Sequence, residues 1–210
     1  MLRVHEIFES VQGEGSKQGQ KMTFIRLYGC NRNCAYCDQP QGDFVDMAEE
    51  QILERCTLGQ VCITGGEPLM QDIYFLSELL DQSGKYISIE TNGDFNTLVK
   101  KGYDSHGMRM FRRTVYNHLA CSPKVNSPDK LTIQANLIDD LKILVDTSTK
   151  PYDLRPWEEF GQNYNITLWL QPKNDKLEIN WPNMKHTIRL VQELPLWNLS
   201  PQLHKLIGVK

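Results

Sequence analysis

Three of the six cysteines in this 210-residue chain fall within eight positions, in Gly29-Cys30-Asn31-Arg32-Asn33-Cys34-Ala35-Tyr36-Cys37-Asp38. A Cys-x3-Cys-x2-Cys spacing on one short loop lets three thiolates wrap one corner of a [4Fe–4S] cluster, leaving one iron open to an exogenous chelator. The alternative is zinc, which is normally closed by four Cys or His ligands. No His lies near the triplet, and the next cysteine, Cys56, sits alone on an expected helix. Cys56, Cys62 and Cys121 read as small buried residues. A crowded triplet, rather than a spread disulfide framework, points to metal or redox chemistry in a reducing compartment, hence to the cytoplasm.

Two further segments carry chemistry. In Thr64-Gly65-Gly66-Glu67-Pro68 the glycines permit close backbone approach, and a carboxylate or carbonyl can meet an ammonium. In Gln12-Gly13-Glu14-Gly15 a Gln and a Glu stand two residues apart, able to pair with a flat edge of amide and amine groups. Taken alone, this second segment is a polar turn. Arg26 can fork onto a carboxylate, or else be an inward strand residue tied to an acid.

These groups must be held by something. Short apolar runs at Met22–Tyr28, Val61–Thr64, Tyr86–Glu90, His118–Cys121, Leu141–Val145, Ile166–Leu170 and Trp197–Ser200 read as strands. Between them, Asp46–Arg55 and Asp72–Leu80 carry apolar residues at helical spacing, with Asp72 as N-cap and Gly84 as stop. Pro182–Leu194 is expected to be the last helix. Alternation of strand and helix predicts an α/β fold with a mostly parallel sheet and outer helices. A closed eight-stranded barrel takes about 250 residues, so a partial, open β/α barrel in one domain over 1–210 fits better. The polar segments follow strand ends: Gly29-Cys30, Gly65-Gly66-Glu67-Pro68, Thr91-Asn92-Gly93, Ser122-Pro123-Lys124 and Gln171-Pro172, where such folds place their chemistry.

Composition excludes other classes. Twenty-three basic against 26 acidic residues give a formal charge of −3, which is not the footprint of a nucleic-acid binder. No run of about 18 apolar residues is present, so no membrane helix is expected. The first residues show no apolar core of signal-peptide length.

The triplet with Tyr36, together with Gly65-Gly66-Glu67-Pro68, resembles the signature of the radical S-adenosylmethionine (SAM) superfamily. Within it, the chain resembles the 7-carboxy-7-deazaguanine synthase family along its length. The match runs in order through Glu6–Gly15, Phe24–Asn31, Ile89–Gly93, Ser122–Lys124, Leu141-Lys142, Leu170–Pro172 and His204-Lys205. The resemblance implies a homodimer using SAM, a [4Fe–4S] cluster on Cys30, Cys34 and Cys37, and Mg²⁺. The implied reaction converts 6-carboxy-5,6,7,8-tetrahydropterin to 7-carboxy-7-deazaguanine with loss of ammonia. It implies substrate contacts from Val11, Gln12, Gly13, Glu14, Arg26, Thr64 and the terminal carboxylate of Lys210. It implies SAM contacts from Tyr36, Cys37, Asp38, Gly66, Ser122, Pro123, Lys124, Gln171 and Pro172, with Glu90 on the SAM ribose or the substrate. Rival readings are a glycyl-radical activase, which shares the triplet, and a zinc-binding interaction module.

The match departs after the third cysteine. The family usually has a hydroxyl residue after the Asp, which helps to hold Mg²⁺; here Gln39 follows Asp38. A carbonyl oxygen can ligate a hard cation, but from a different position, so weakened Mg²⁺ dependence is expected. The stretch Lys101–Arg113, with His106, Arg109, Arg112 and flanking His118, could dock an acidic reductant such as flavodoxin. A solvated basic loop is the commoner explanation of such a run.

Overall fold

A computed structural model describes residues 1–39, 42–94 and 116–209. Nine strands form one sheet in the order β3-β1-β2-β4-β5-β6-β7-β8-β9. They are β1 (Leu2–Val11), β2 (Lys21–Leu27), β3 (Val45–Met47), β4 (Gln60–Gly65), β5 (Tyr86–Thr91), β6 (His118–Cys121), β7 (Asp140–Val145), β8 (Thr167–Pro172) and β9 (Trp197–Leu199). From β2 through β9 every pairing is parallel. β1 runs antiparallel to both β2 and β3. The sheet does not close, as the open-barrel expectation required.

Strand alternation sorts the residues onto two faces. Ile63, Ile87, Ile89, Leu119, Leu141, Leu168 and Leu170 turn outward into the main core. That core is shared with α1 (Glu49–Arg55), α2 (Tyr74–Gln82), α3 (Pro151–Tyr164) and α4 (Trp181–Glu193), through Ile52, Leu76, Leu80, Leu154, Trp157 and Leu190. The alternate positions carry the polar set: Arg26 on β2, Thr64 on β4, Glu90 on β5, Asp140 and Lys142 on β7 and Gln171 on β8. Burial of one face on apolar helices therefore forces the polar set onto the other.

Several expectations need correction. Helix α1 begins at Glu49, not Asp46, because Val45–Met47 pairs with Leu2–Val4 as an edge strand. The Ala48 amide donates to Gln51 Oε1 at 3.1 Å and opens the helix there. Helix α2 begins at Tyr74 with Ile73 at the N-cap, although Asp72 Oδ1 still accepts from the Tyr74 amide at 3.3 Å. Helix α3 went unread; Pro156 lies inside it, and the Lys150 amide donates to Asp153 Oδ2 at 2.8 Å at its start. A short α5 (Leu203–Ile207) follows β9, so α4 is not the last helix. Gln171 and Pro172 end β8 rather than follow it.

Candidate active site

The loop after β2 carries the cysteines, and the ends of β4, β5 and β6 surround it. Cys30, Cys34 and Cys37 are free thiols and line one cavity of about 450 Å³. Cys56, Cys62 and Cys121 are buried and do not line it. The segment after β4 packs directly on the cysteine loop. A Cβ on Gly66 would overlap the Gly29 carbonyl and lie 3.0 Å from Cys30 Cβ, so only glycine fits. The Glu67 amide donates to the Gly29 carbonyl at 2.8 Å.

Glu67 itself points away from any ligand. Its carboxylate is fully buried and accepts from Thr91 Oγ1 at 2.7 Å, the Asn92 amide at 2.7 Å and the Leu69 amide at 3.0 Å. Burial raises its pKa, and these bonds offset only part of that. Of the two alternatives for this segment, a carboxylate or a carbonyl facing an ammonium, the carboxylate is thus taken up within the protein, and Glu67 joins the end of β4 to the end of β5.

The β1–β2 turn contributes Glu14 to the same cavity. The Gln12 amide donates to the Gln20 carbonyl and the Gly19 amide to the Gln12 carbonyl, both at 2.8 Å. The turn between them reaches beneath the sheet. Ser16 donates to both oxygens of Asp140, from its hydroxyl at 2.5 Å and its amide at 2.7 Å. His118 Nε2 lies 3.3 Å from the same carboxylate. His118 is 8% exposed, so it does not belong to a reductant-docking surface.

Above this anchor, Glu14 enters the cavity. Its Oε1 accepts from Gln202 Nε2 at 2.7 Å and Gln171 Nε2 at 3.1 Å, and its Oε2 accepts from Lys142 Nζ at 2.5 Å. Lys142 also donates to Glu90 Oε1 at 3.1 Å. Gln12 Nε2 donates to Glu90 Oε1 at 3.3 Å, and Thr64 Oγ1 donates to Glu90 Oε2 at 3.0 Å. Burial raises the Glu14 pKa, but the Lys142 ammonium more than reverses this and holds it down at about 2. Arg26 Nε donates to Glu6 Oε1 at 2.8 Å, and its guanidinium carbon lies 5.4 Å from the Phe8 ring centroid. Arg26 is thus tied to an acid, as its second reading expects, and it also lines the cavity.

Most of the expected residues meet here. Glu14, Arg26, Tyr36, Cys37, Asp38, Gln39, Thr64, Gly66, Glu90, Ser122, Lys124 and Gln171 line the same cavity as the cysteines. Lys124 Nζ donates to Ser122 Oγ at 2.9 Å, and burial lowers the Lys124 pKa. Gln12 lies behind the lining, joined to it through Glu90. Val11, Pro123 and Pro172 do not reach it. Gly13 is buried against His204, which a Cβ there would overlap. Lys210 and the Lys101–Arg113 stretch lie outside the described residues.

The structure adds residues that the sequence reading did not single out. Asp94 grips Arg32, Lys205 Nζ pairs with Asp38 Oδ2 at 2.7 Å, and Lys142 joins the two acids. Gln202 sits in left-handed backbone at φ 58°, 8% exposed, with Asn174 Nδ2 donating to its Oε1 at 2.6 Å.

The donor set suits a cluster. Three free thiols share one loop, and no further cysteine lines the cavity. A cubane takes each thiolate on a different iron. A structural zinc needs four convergent ligands, and no such group of His, Cys, Asp or Glu is gathered among the described residues.

Comparison with known proteins agrees. The Radical SAM superfamily model matches residues 24–142. The 7-carboxy-7-deazaguanine synthase of Rickettsia prowazekii is 34% identical over 227 aligned positions, covering 100% of this chain and 89% of that one. The protein of the same name from Bacteroides thetaiotaomicron is 30% identical over 214 positions, covering 100% of both. The crystal structure of QueE from Escherichia coli superposes with a TM-score of 0.70 at 23% identity, over 97% of this chain and 94% of that one, which is a likeness of fold. With its cysteine loop, glycine-packed β4 end and full-length relatives, the chain belongs to the 7-carboxy-7-deazaguanine synthase family of radical SAM enzymes.

Proposed function

We propose that this chain converts 6-carboxy-5,6,7,8-tetrahydropterin to 7-carboxy-7-deazaguanine, with loss of ammonia, in one domain spanning 1–210. The observation that carries the reading is the cavity itself, lined both by the thiol loop and by an ionised Glu14 flanked by amides. Cys30, Cys34 and Cys37 would hold the cluster, which together with SAM would supply the radical chemistry for hydrogen removal at C6 of the pterin.

The protein's part is recognition, orientation and exclusion of water. Glu14 accepts from the amine and N–H groups of the pterin's guanine-like edge, and Gln12 supports that edge from behind through Glu90. Thr64 shapes the same subsite from the cavity wall, while Val11 and Gly13, outside the lining, hold the turn that carries Glu14. The Arg26 Nη nitrogens have no partner among the described residues and are free to fork onto the substrate carboxylate. Tyr36, Cys37, Asp38, Gly66, Ser122, Lys124 and Gln171 hold SAM from the cavity wall, with Pro123 and Pro172 outside the lining fixing the backbone beside Ser122, Lys124 and Gln171. Lys205, paired with Asp38, closes the cysteine loop against the C-terminal segment.

Mg²⁺ falls to Gln39. Its Oε1 is buried with no hydrogen-bond partner, while its Nε2 donates to Asp38 Oδ1 at 3.0 Å. One carbonyl oxygen suits a cation that keeps its waters and shares substrate oxygens. Mg²⁺ dependence is correspondingly weak, and a tenfold loss of rate on chelation contradicts this part. A homodimer, a cytoplasmic setting and a flavodoxin-type donor follow from the family resemblance.

The test is an anaerobic assay of cluster-loaded protein with the carboxytetrahydropterin, SAM and a reductant, with and without Mg²⁺, read by mass spectrometry. Formation of the deazaguanine supports the reading. SAM cleavage with no deazaguanine overturns the substrate assignment.

A further inference from the structure

Two acids and one base meet between the β1–β2 turn, β5 and β7. Lys142 is 3% exposed, at a strand position where alternation turns it away from the apolar core. Its ammonium lies 2.5 Å from Glu14 Oε2 and 3.1 Å from Glu90 Oε1. All the other recorded side-chain partners of the two carboxylates are donors: Gln171 and Gln202 amides on Glu14, the Gln12 amide and the Thr64 hydroxyl on Glu90. A protonated carboxyl would present an O–H where only donors stand. The network is complete only when both acids are ionised, and only an ammonium between them permits that.

We propose that Lys142 is a positioning residue for the substrate: it keeps Glu14 and Glu90 ionised together and fixes Glu14 Oε2, so that Glu14 meets the pterin edge as an acceptor. The proposal rests on the preceding reading of Glu14 as a substrate contact. Among the described residues, the other charged and titratable groups facing this cluster are Arg26 from β2, Cys62 from β4, Lys124 after β6 and His204 from α5. The two cations lie farther from Glu14 than Lys142, since neither bonds it, and His204 is held towards its neutral form by burial. None replaces Lys142.

The test is a carbon-13 titration of the Glu14 carboxyl in the oxidised holoenzyme, assigned with Glu14→Gln. In Lys142→Met the midpoint rises by at least about one pH unit, because two neighbouring carboxylates then share the loss of their cation. In Lys142→Met/Glu90→Gln it falls back by at least half of that rise. A midpoint unchanged in Lys142→Met overturns the proposal. If the single variant does not fold, the double variant is compared with Glu90→Gln alone: a higher Glu14 midpoint in the double supports the proposal, and equal midpoints overturn it. No substrate enters this titration, so its outcome is independent of whether the turnover assay succeeds.

Discussion

Asp94 holds Arg32 by both carboxylate oxygens, Nε donating to Oδ2 and Nη2 to Oδ1 at 2.9 Å. Asn31 Nδ2 adds a bond to Asp94 Oδ2 at 2.7 Å, and Asn92 Nδ2 donates to Asn31 Oδ1 at 2.8 Å. The cysteine loop is thereby fastened to the end of β5, where the Thr91 hydroxyl and the Asn92 amide also donate to Glu67. Because the Arg32 side chain is 38% exposed, the pair contributes little to global stability, about 1 kcal/mol or less. Its effect is local. Asp94→Asn is expected to leave the thermal midpoint within a few degrees of wild type, while the cluster is lost several-fold faster to an iron chelator. Equal rates of cluster loss, followed by visible absorbance, contradict this.

Gly66 is the tightest contact between the β4 end and the cysteine loop. Gly66→Ala places a methyl against the Gly29 carbonyl, which is backbone and cannot swing aside. Overpacking of this kind costs about 1–3 kcal/mol. The expected result is reduced iron content and a lowered thermal midpoint. A variant that loads a full cluster with unchanged stability is the result that rules the contact unimportant.

Acid sensitivity follows from Glu14. Its folded pKa lies near 2, below its ordinary value near 4.5. A carboxylate depressed in this way stabilises the fold above its unfolded pKa, and that stabilisation is lost as pH falls towards its folded pKa. Asp140 is also lowered: burial raises it, but His118 and Ser16 outweigh that. Thermal midpoints should therefore fall between about pH 4.5 and pH 2, and Glu14→Gln should fall less steeply while keeping the Asp140 part. Parallel pH profiles for the two proteins would count against the Lys142–Glu14 pairing.

Gln202 combines a left-handed backbone with a bond to Glu14. Gln202→Leu removes that bond and keeps the backbone cost; Gln202→Gly removes both. The expected pattern is a KM for the pterin raised several-fold in each, with Gln202→Gly the more stable of the two. If Gln202→Leu binds substrate as wild type does, the bond to Glu14 has no part in recognition.

Seven of the nine strands, all but β1 and β3, were legible because they are short apolar runs whose alternate positions carry Arg26, Thr64, Glu90 and Lys142, a pattern local to each strand. The cysteine loop and Gly65-Gly66 were legible for the same reason: their chemistry lies within a few consecutive residues. What escaped depends on distance along the chain. Lys142 meets Glu14 across 128 residues, and Gln202 meets it across 188. Strand β3 exists because the N-terminal strand offers an edge, and the helical spacing of the residues after it concealed the pairing. The choice between the carboxylate and a carbonyl of the Gly65–Pro68 segment stayed open because a motif shows a carboxylate but not the direction it faces; three donors turn Glu67 inward.

The most direct measurement is turnover of 6-carboxy-5,6,7,8-tetrahydropterin by wild type and Glu14→Gln, with SAM cleavage followed in the same samples. Wild type is expected to form 7-carboxy-7-deazaguanine. Glu14→Gln should still cleave SAM but should need at least about tenfold more substrate, since a buried acceptor matched to substrate donors has been lost. No product from wild type, or an unchanged KM in Glu14→Gln, would contradict the placement of the pterin edge on Glu14.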